Sequence, residues 1–178
     1  MEIRALLPSD DRSRFRSGDA DLDRFLRAYA GQNQFRRHLA TTYVALESGR
    51  LLAYVTVAAG QIEVETLPVA ERRGLPRYPL PILRLARLAV DEGVQGLGLG
   101  KEMLRFVFHL ALRMMEGFGC VGVCVDARPA SVRFYEQYGF VPIDLVIGGA
   151  DLRPTPQPLF LAISRIQAAT NPTRQRRP

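Results

Sequence analysis

Residues 87–104 read RLAVDEGVQGLGLGKEML. An apolar run ends at Asp91, and Gly96, Gly98 and Gly100 then alternate directly ahead of a segment with helical spacing. One glycine is enough for an ordinary strand-to-helix turn. Three so close together strip the backbone of side chains at a helix entrance, where free amides and the positive end of the helix dipole favour an anion. The stretch predicts an anion-binding strand–loop–helix unit.

Three phosphate loops compete for it. A nucleotide P-loop needs G-x-x-x-x-G-K followed by Ser or Thr, but Gln95 stands at the first glycine and Glu102 at the hydroxyl position. A dinucleotide fingerprint, G-x-G-x-x-G, fits Gly96 and Gly98 and then meets Lys101. The pattern Q-x-x-G-x-G is satisfied by Gln95, Gly98 and Gly100. In it, bare backbone passes close to a pyrophosphate.

Outward from the loop, ILRLARLAV (82–90) reads as the strand that feeds it. Residues 101–116 read as the helix that leaves it, with Met103, Leu104, Val107, Leu110, Ala111 and Met114 on one side. CVGVCVDA (120–127) is a buried-looking strand. PASVRFYEQYGF opens a short helix at Pro129 and stops it at Gly139. PLFLAISRI (158–166) is a last strand.

Upstream, EIRALL (2–7) is an opening strand. GDADLDRFLRAYAGQNQ is a helix with Leu22, Phe25, Leu26 and Tyr29 on its apolar face and Asp19 or Asp21 as N-cap. TTYVALE (41–47) and LLAYVTVAA (51–59) flank the turn SGR as a hairpin. Residues 63–81 hold Pro68, Pro76, Pro79 and Pro81 and read as a mobile connection with one helical turn. Strands separated by helices predict a partly parallel α/β sheet. The expected organisation is one domain over 1–166 and a basic, disordered tail over 167–178.

The chain has 178 residues, 47% of them apolar, which is enough for one substantial core. No apolar run is long enough to span a membrane, and the N-terminal residues lack the pattern of a secretory signal, so a cytoplasmic protein is expected. The net charge of +6 comes almost wholly from arginine, Lys101 being the only lysine among 24 basic residues. Guanidinium forks suit phosphate, so nucleic acid or a nucleotide-bearing ligand is a natural partner. Cys120 and Cys124 match neither a zinc knuckle nor a redox pair, and read as two core residues on one strand face. With only His38 and His109 elsewhere, no metal site is expected.

LARLAVDEGVQGLGLGKEML together with RFYEQYGF resembles the GNAT N-acetyltransferases, which bind acetyl-coenzyme A. The resemblance implies an α/β GNAT fold, a single domain whose central mixed, mostly antiparallel sheet is flanked by helices and splayed at the cofactor-binding strand. It implies that the backbone of Leu88, Ala89 and Val90 pairs with the pantetheine arm. It also puts the pyrophosphate on the amides of Gln95, Gly96, Leu97, Gly98, Leu99, Gly100 and Lys101. Tyr135 takes the position of the general acid to the departing thiolate, with Phe134 on the cofactor side of the same helix. Acetyl transfer to an amine needs a proton for sulfur and a donor for the oxyanion, which a tyrosine hydroxyl and a strand amide such as that of Val90 can supply. Tyr138 competes with Tyr135. Asp126, Asp91 and Glu92 are the candidate bases. VDARPAS carries no Asn near Asp126, where many family members have one.

The opening F-x-S-G-x-x-x-L-D-x-F-L, at residues 15–26, is similar to a subgroup of that family. These are the toxins of type II toxin–antitoxin pairs that acetylate the α-amine of aminoacyl-tRNA and block peptide-bond formation. That resemblance implies aminoacyl-tRNA as acceptor, Arg36, Arg37, Arg72, Arg73 and Arg77 as candidate contacts to its phosphates, a ribbon-helix-helix antitoxin, and a homodimer. EGVQGLGLG is less basic than this loop often is in such toxins. A GNAT enzyme for a small-molecule or protein amine, or a non-catalytic coenzyme A-binding module, are the alternatives.

Overall fold

The computed structural model describes residues 1–144 and 155–170. Its strands are β1 (Glu2–Ala5), β2 (Thr41–Glu47), β3 (Arg50–Ile62), β4 (Leu80–Val90), β5 (Gly122–Ala127), β6 (Val141–Pro142) and β7 (Gln157–Ala162). They form one sheet in the order β1-β2-β3-β4-β5-β7-β6. The helices are α1 (Ala20–Arg24), α2 (Val69–Arg72), α3 (Leu99–Phe118), α4 (Val132–Glu136) and α5 (Ile163–Thr170). The β1–β2, β2–β3, β5–β7 and β6–β7 pairs are antiparallel, in line with the expected mostly antiparallel α/β sheet. Contacts cluster into two compact units, Met1–Ala58 with Leu85–Val107, and Ala59–Arg84 with the chain from Phe108 onward.

The first unit is built around Tyr54 of β3, which is fully buried. Phe15 meets its ring edge-on at 5.6 Å and Phe25 stacks on it at 6.3 Å. Its hydroxyl donates to the Leu22 carbonyl at 2.9 Å, so the apolar ring fills the core while its polar end is satisfied. Asp19 is the N-cap of α1, accepting from the amides of Asp21 and Leu22, which decides between the two candidate aspartates.

The helix then departs from expectation. After Arg24 it widens into two π-helical turns, Phe25–Tyr29 and Gln32–Arg36, closed by bonds from the Ala30 amide to the Phe25 carbonyl and from the Arg37 amide to the Gln32 carbonyl. Such turns insert extra residues, so the three- and four-residue spacing no longer marks one face. Phe25 and Leu26 stay buried, but Tyr29 is turned out to 46% exposure.

The β2–β3 hairpin turns on Ser48 and Gly49 alone, with φ of 49° and 77°. Arg50, expected in the turn, is instead paired with Glu47 as the first strand residue. Two successive positive-φ residues match the right-handed twist of the flanking strands.

In the second unit Ile62, Val64, Leu67, Leu80, Ile82, Ile143, Phe160 and Ala162 form the core. Val64 and Leu67 bury the start of the proline-rich segment in this core, and α2 is the one helical turn expected within it. Arg72 locks it further, its Nε and Nη2 donating to the Leu67 and Glu65 carbonyls, both at 2.6 Å. Glu71 pairs with Arg165 of α5 at 2.7 Å.

The last strand ends at Ala162, short of the expected boundary, and the chain continues as α5. Ile163 and Ile166 stand three apart, a helical spacing that buries Ile166 to 2% exposure. Residues 167–170, expected in a disordered tail, are thus helical. Positions 171–178 of that tail lie outside the described residues.

Cys120 lies ahead of β5 rather than on it, its thiol donating to the Gly122 carbonyl at 3.2 Å, and Cys124 sits within the strand. Both are free. Burial pushes the Cys124 thiol up to about 12, which keeps it protonated and unreactive at neutral pH. Among the described residues no group of three or more His, Cys, Asp or Glu could hold a metal ion. Among them, too, no helix is long and apolar enough to cross a membrane.

Candidate functional site

The glycine loop of the first unit leaves β4 at Val90 and enters α3 at Leu99. Gly96 and Gly98 have φ of +79° and +86°, conformations that side-chain-bearing residues rarely adopt. A Cβ built on either would meet no atom within 4 Å, so the space above both is open. The Gly98 carbonyl accepts the Glu102 amide at 3.2 Å, which puts Leu99, Gly100 and Lys101 in the first turn of α3. Their amides have no carbonyl within the helix to bond, and they sit at the positive end of a 20-residue helix. Gly100 is helical, so the three glycines do two different jobs.

Gln95 is exposed, but its side-chain amide is used within the protein. Nε2 donates to the Val90 and Ser17 carbonyls, both at 2.9 Å. The side chain therefore holds the loop and leaves the loop backbone for a ligand. Leu97 is exposed and Leu99 buried. On β4, Ala89 packs into the first unit's core, while Leu88 and Val90 are half-buried.

The three candidate bases fare differently. Asp91 is 4% exposed and surrounded by donors, with Arg50 Nη2 at 2.8 Å. Asp126 is paired with Arg84. Glu92 is exposed at the loop surface. Asp91 and Asp126 are thus both committed to arginine partners.

Tyr135, in the second unit, is the buried residue of α4 at 5% exposure. Phe134 and Phe140 meet its ring edge-on at 5.1 and 5.4 Å. Its hydroxyl has no hydrogen-bond partner among the described residues, and burial alone drives its pKa well above the ordinary tyrosine value. Tyr138 lies past α4 in the closing turn, half-buried, with its amide on the Tyr135 carbonyl at 3.0 Å. The helix end thus separates two tyrosines that the sequence left in competition.

The raised pKa gives a pH prediction. Burial favours the neutral phenol, so its contribution to stability is whole below the ordinary tyrosine pKa of about 10 and is lost as pH climbs past it. Urea unfolding between about pH 9 and 11 should show a steeper loss for the native protein than for Tyr135→Phe, which has nothing to ionise there. Equal slopes would show that Tyr135 ionises as freely folded as unfolded.

Of the arginines, Arg36 and Arg37 are exposed at the end of the second π turn in the first unit, and Arg73 and Arg77 are exposed in the second. Arg72 is exposed as well, but two of its donors are committed to backbone carbonyls. Residues the sequence did not single out are Arg16, Ser17, Arg50 and Asp23, all close to the loop or its supports. The opening motif contained Ser17 and Asp23, but nothing in its spacing pointed to residues more than seventy positions away.

Residues 38–142 match the acetyltransferase (GNAT) domain family. Over 138 residues, 77% of this chain and 82% of the relative, the chain is 31% identical to a tRNA-acetylating toxin of Mycobacterium tuberculosis. The solved structure of AtaT complexed with acetyl-methionyl-tRNAfMet has a TM-score of 0.81 at 23% identity, covering 95% of this chain and 98% of that one. AtaTR bound with AcCoA gives 0.76 at 26%, covering 95% and 97%. The open glycine loop at the mouth of α3, the order of the seven strands and these matches agree, and the chain belongs to the GNAT family of acetyltransferases.

Proposed function

We propose that this chain transfers the acetyl group of acetyl-coenzyme A to the α-amine of aminoacyl-tRNA and so acts as a translation-blocking toxin. The observation that carries this reading is the likeness to a tRNA-acetylating toxin over 77% of the chain, well beyond the cofactor loop. The likeness to a toxin structure that contains acetyl-methionyl-tRNA supports the same acceptor.

Acetyl-coenzyme A supplies the activated acyl group. The loop fits its pyrophosphate, since the open faces of Gly96 and Gly98 lie at the helix entrance, where amides are unpaired. In this reading the amides of Gln95 to Lys101 hold the pyrophosphate, the backbone of Leu88, Ala89 and Val90 lies along the pantetheine arm, and Phe134 packs on the cofactor side of α4. The Val90 amide steadies the oxyanion, and Tyr135 acts as general acid to sulfur by sharing its proton in a hydrogen bond as charge develops on the leaving thiolate. No carboxylate need act as base, because an α-amine of pKa near 8 is about one-fifth neutral at physiological pH, against about 0.1% for lysine.

Arg36, Arg37, Arg73 and Arg77 are the candidate phosphate contacts, with Arg72 contributing only the part of its fork not spent on the backbone. The acetyltransferase domain runs from the N-terminal strand through α5 in this reading. A ribbon-helix-helix antitoxin, a homodimer and a cytoplasmic location complete it.

The test is label transfer from acetyl-coenzyme A to total charged tRNA, beside deacylated tRNA, polyamines and a peptide. Label on charged tRNA alone is the expected result. Label on free amines with charged tRNA untouched would move the acceptor to a small molecule or protein. Coenzyme A binding with no transfer would favour a non-catalytic module.

A further inference from the structure

The opening motif at residues 15–26 contains none of the residues assigned to acetyl transfer above, yet its backbone grips the glycine loop. The Asp91 carboxylate stands where that grip converges. Its Oδ1 accepts from Arg50 Nη2 at 2.8 Å and from the Gly93 amide at 3.2 Å, and its Oδ2 accepts from the Arg16 amide at 3.2 Å. In return the Glu92 amide donates to the Arg16 carbonyl at 2.7 Å, and the Gln95 side chain donates to the Ser17 carbonyl at 2.9 Å. The Asp91 amide is fixed as well, on the Leu52 carbonyl of β3 at 2.8 Å.

The gripping segment is itself held. The Ser17 amide and hydroxyl both donate to Asp23 Oδ1, at 2.9 and 2.7 Å, and Asp23 is buried at the start of the first helix. Gly18, at φ +82°, lets the chain pass so close to the loop that a Cβ there would lie 2.8 Å from Glu92 Oε1. Phe15 is buried against Tyr54. Ser17, Gly18, Leu22, Asp23 and Phe25 thus form a clamp between the helix start, the Tyr54 core and the loop.

We infer that Asp91, joined to Arg50 and to the Arg16–Gly18 backbone, is a positioning residue that presets the glycine loop for acetyl-coenzyme A. The inference rests on the cofactor reading given above. A loop with Gly93, Gly96 and Gly98 loses much conformational freedom when it orders around an anion. The clamp places that ordering in the folding step, so the cofactor meets amides already aligned. Because Asp91 touches the loop's support and not the reacting atoms, its loss should appear in cofactor affinity rather than turnover.

Titration of the full chain with free coenzyme A, followed by steady-state kinetics, tests this. Asp91→Asn keeps the shape but turns one acceptor oxygen into an amide donor facing Arg50 or the Arg16 backbone. Coenzyme A should then bind about tenfold more weakly, the fold-change of one mispaired buried donor. Arg50→Ala, at an exposed side chain, should weaken binding about threefold, and Arg50→Lys should recover most of it. The KM for acetyl-coenzyme A should follow, with kcat and acceptor KM within about twofold.

Ile166→Val in α5 serves as the control, a mild core loss far along the chain from the loop. It should lower the melting temperature and leave coenzyme A affinity unchanged. The inference fails if folded Asp91→Asn binds coenzyme A as the native chain does, if kcat falls while KM stays, or if Ile166→Val weakens binding equally. A native chain that does not bind coenzyme A at all would overturn the cofactor reading itself, a result separable from any of these.

Discussion

Tyr135→Phe is expected to lower kcat by about 10²- to 10³-fold, the contribution of a positioned general acid, while coenzyme A binds with unchanged affinity. The ring belongs to an aromatic cluster with Phe134 and Phe140, and phenylalanine preserves those edge-on contacts. The hydroxyl has no partner among the described residues, so deleting it orphans no buried group. Stability below pH 9 should hold or rise slightly. A large loss of turnover in a fully stable variant then reports chemistry.

The same burial limits how the hydroxyl can act. A phenol whose pKa is raised well above the ordinary value carries its proton at every physiological pH, but it does not surrender it readily to a thiolate of pKa near 8.5. Its chief service is a hydrogen bond to sulfur as charge develops, which places the expected effect toward the lower part of the general-acid range. Tyr138→Phe, past the helix end, should leave kcat within about twofold. If Tyr138→Phe is the damaging change and Tyr135→Phe is not, the assignment of the acid is reversed. If neither matters, sulfur is protonated by solvent.

The glycine loop at the mouth of α3 was legible because its signal is local. Glycines before a helix mean the same thing wherever they occur, and the hairpin and the face of α3 follow from equally local periodicities. Spacing still could not tell that Gly96 and Gly98 need positive φ while Gly100 sits in the helix. Nor could it separate Tyr135 from Tyr138, since which of two residues three apart turns inward depends on where the helix stops. The π turns escaped because one inserted residue shifts the phase of everything after it, and Tyr29 left the predicted face for that reason. The clamp on Asp91 was the least readable part. Its bonds join Arg16 to Asp91 and Ser17 to Gln95, contacts between backbone and side chains with no periodicity to betray them. F-x-S-G-x-x-x-L-D-x-F-L could be recognised as a pattern, but the pairing of Ser17 with Asp23 became meaningful only with the fold in place.

Gly98 offers the second large effect, and a paired substitution makes it specific. Asn and Asp have nearly the same shape, and both enter the left-handed region more readily than other side chains. With no atom within 4 Å of the added Cβ, folding should tolerate either one, at a strain cost of about 1 kcal/mol. The difference between them is charge at the mouth of α3, where the helix dipole and free amides are set for an anion. Gly98→Asn should weaken coenzyme A by about tenfold, because its side chain occupies room the pyrophosphate uses. Gly98→Asp adds a carboxylate against the pyrophosphate, and another factor of about ten or more should follow, decreasing as salt is raised. A dephosphorylated pantetheine thioester, which lacks the pyrophosphate, should be affected equally little by both. If Asp and Asn weaken coenzyme A to the same degree at low salt, the glycine loop does not carry the pyrophosphate, and the anion site must be sought elsewhere on the chain.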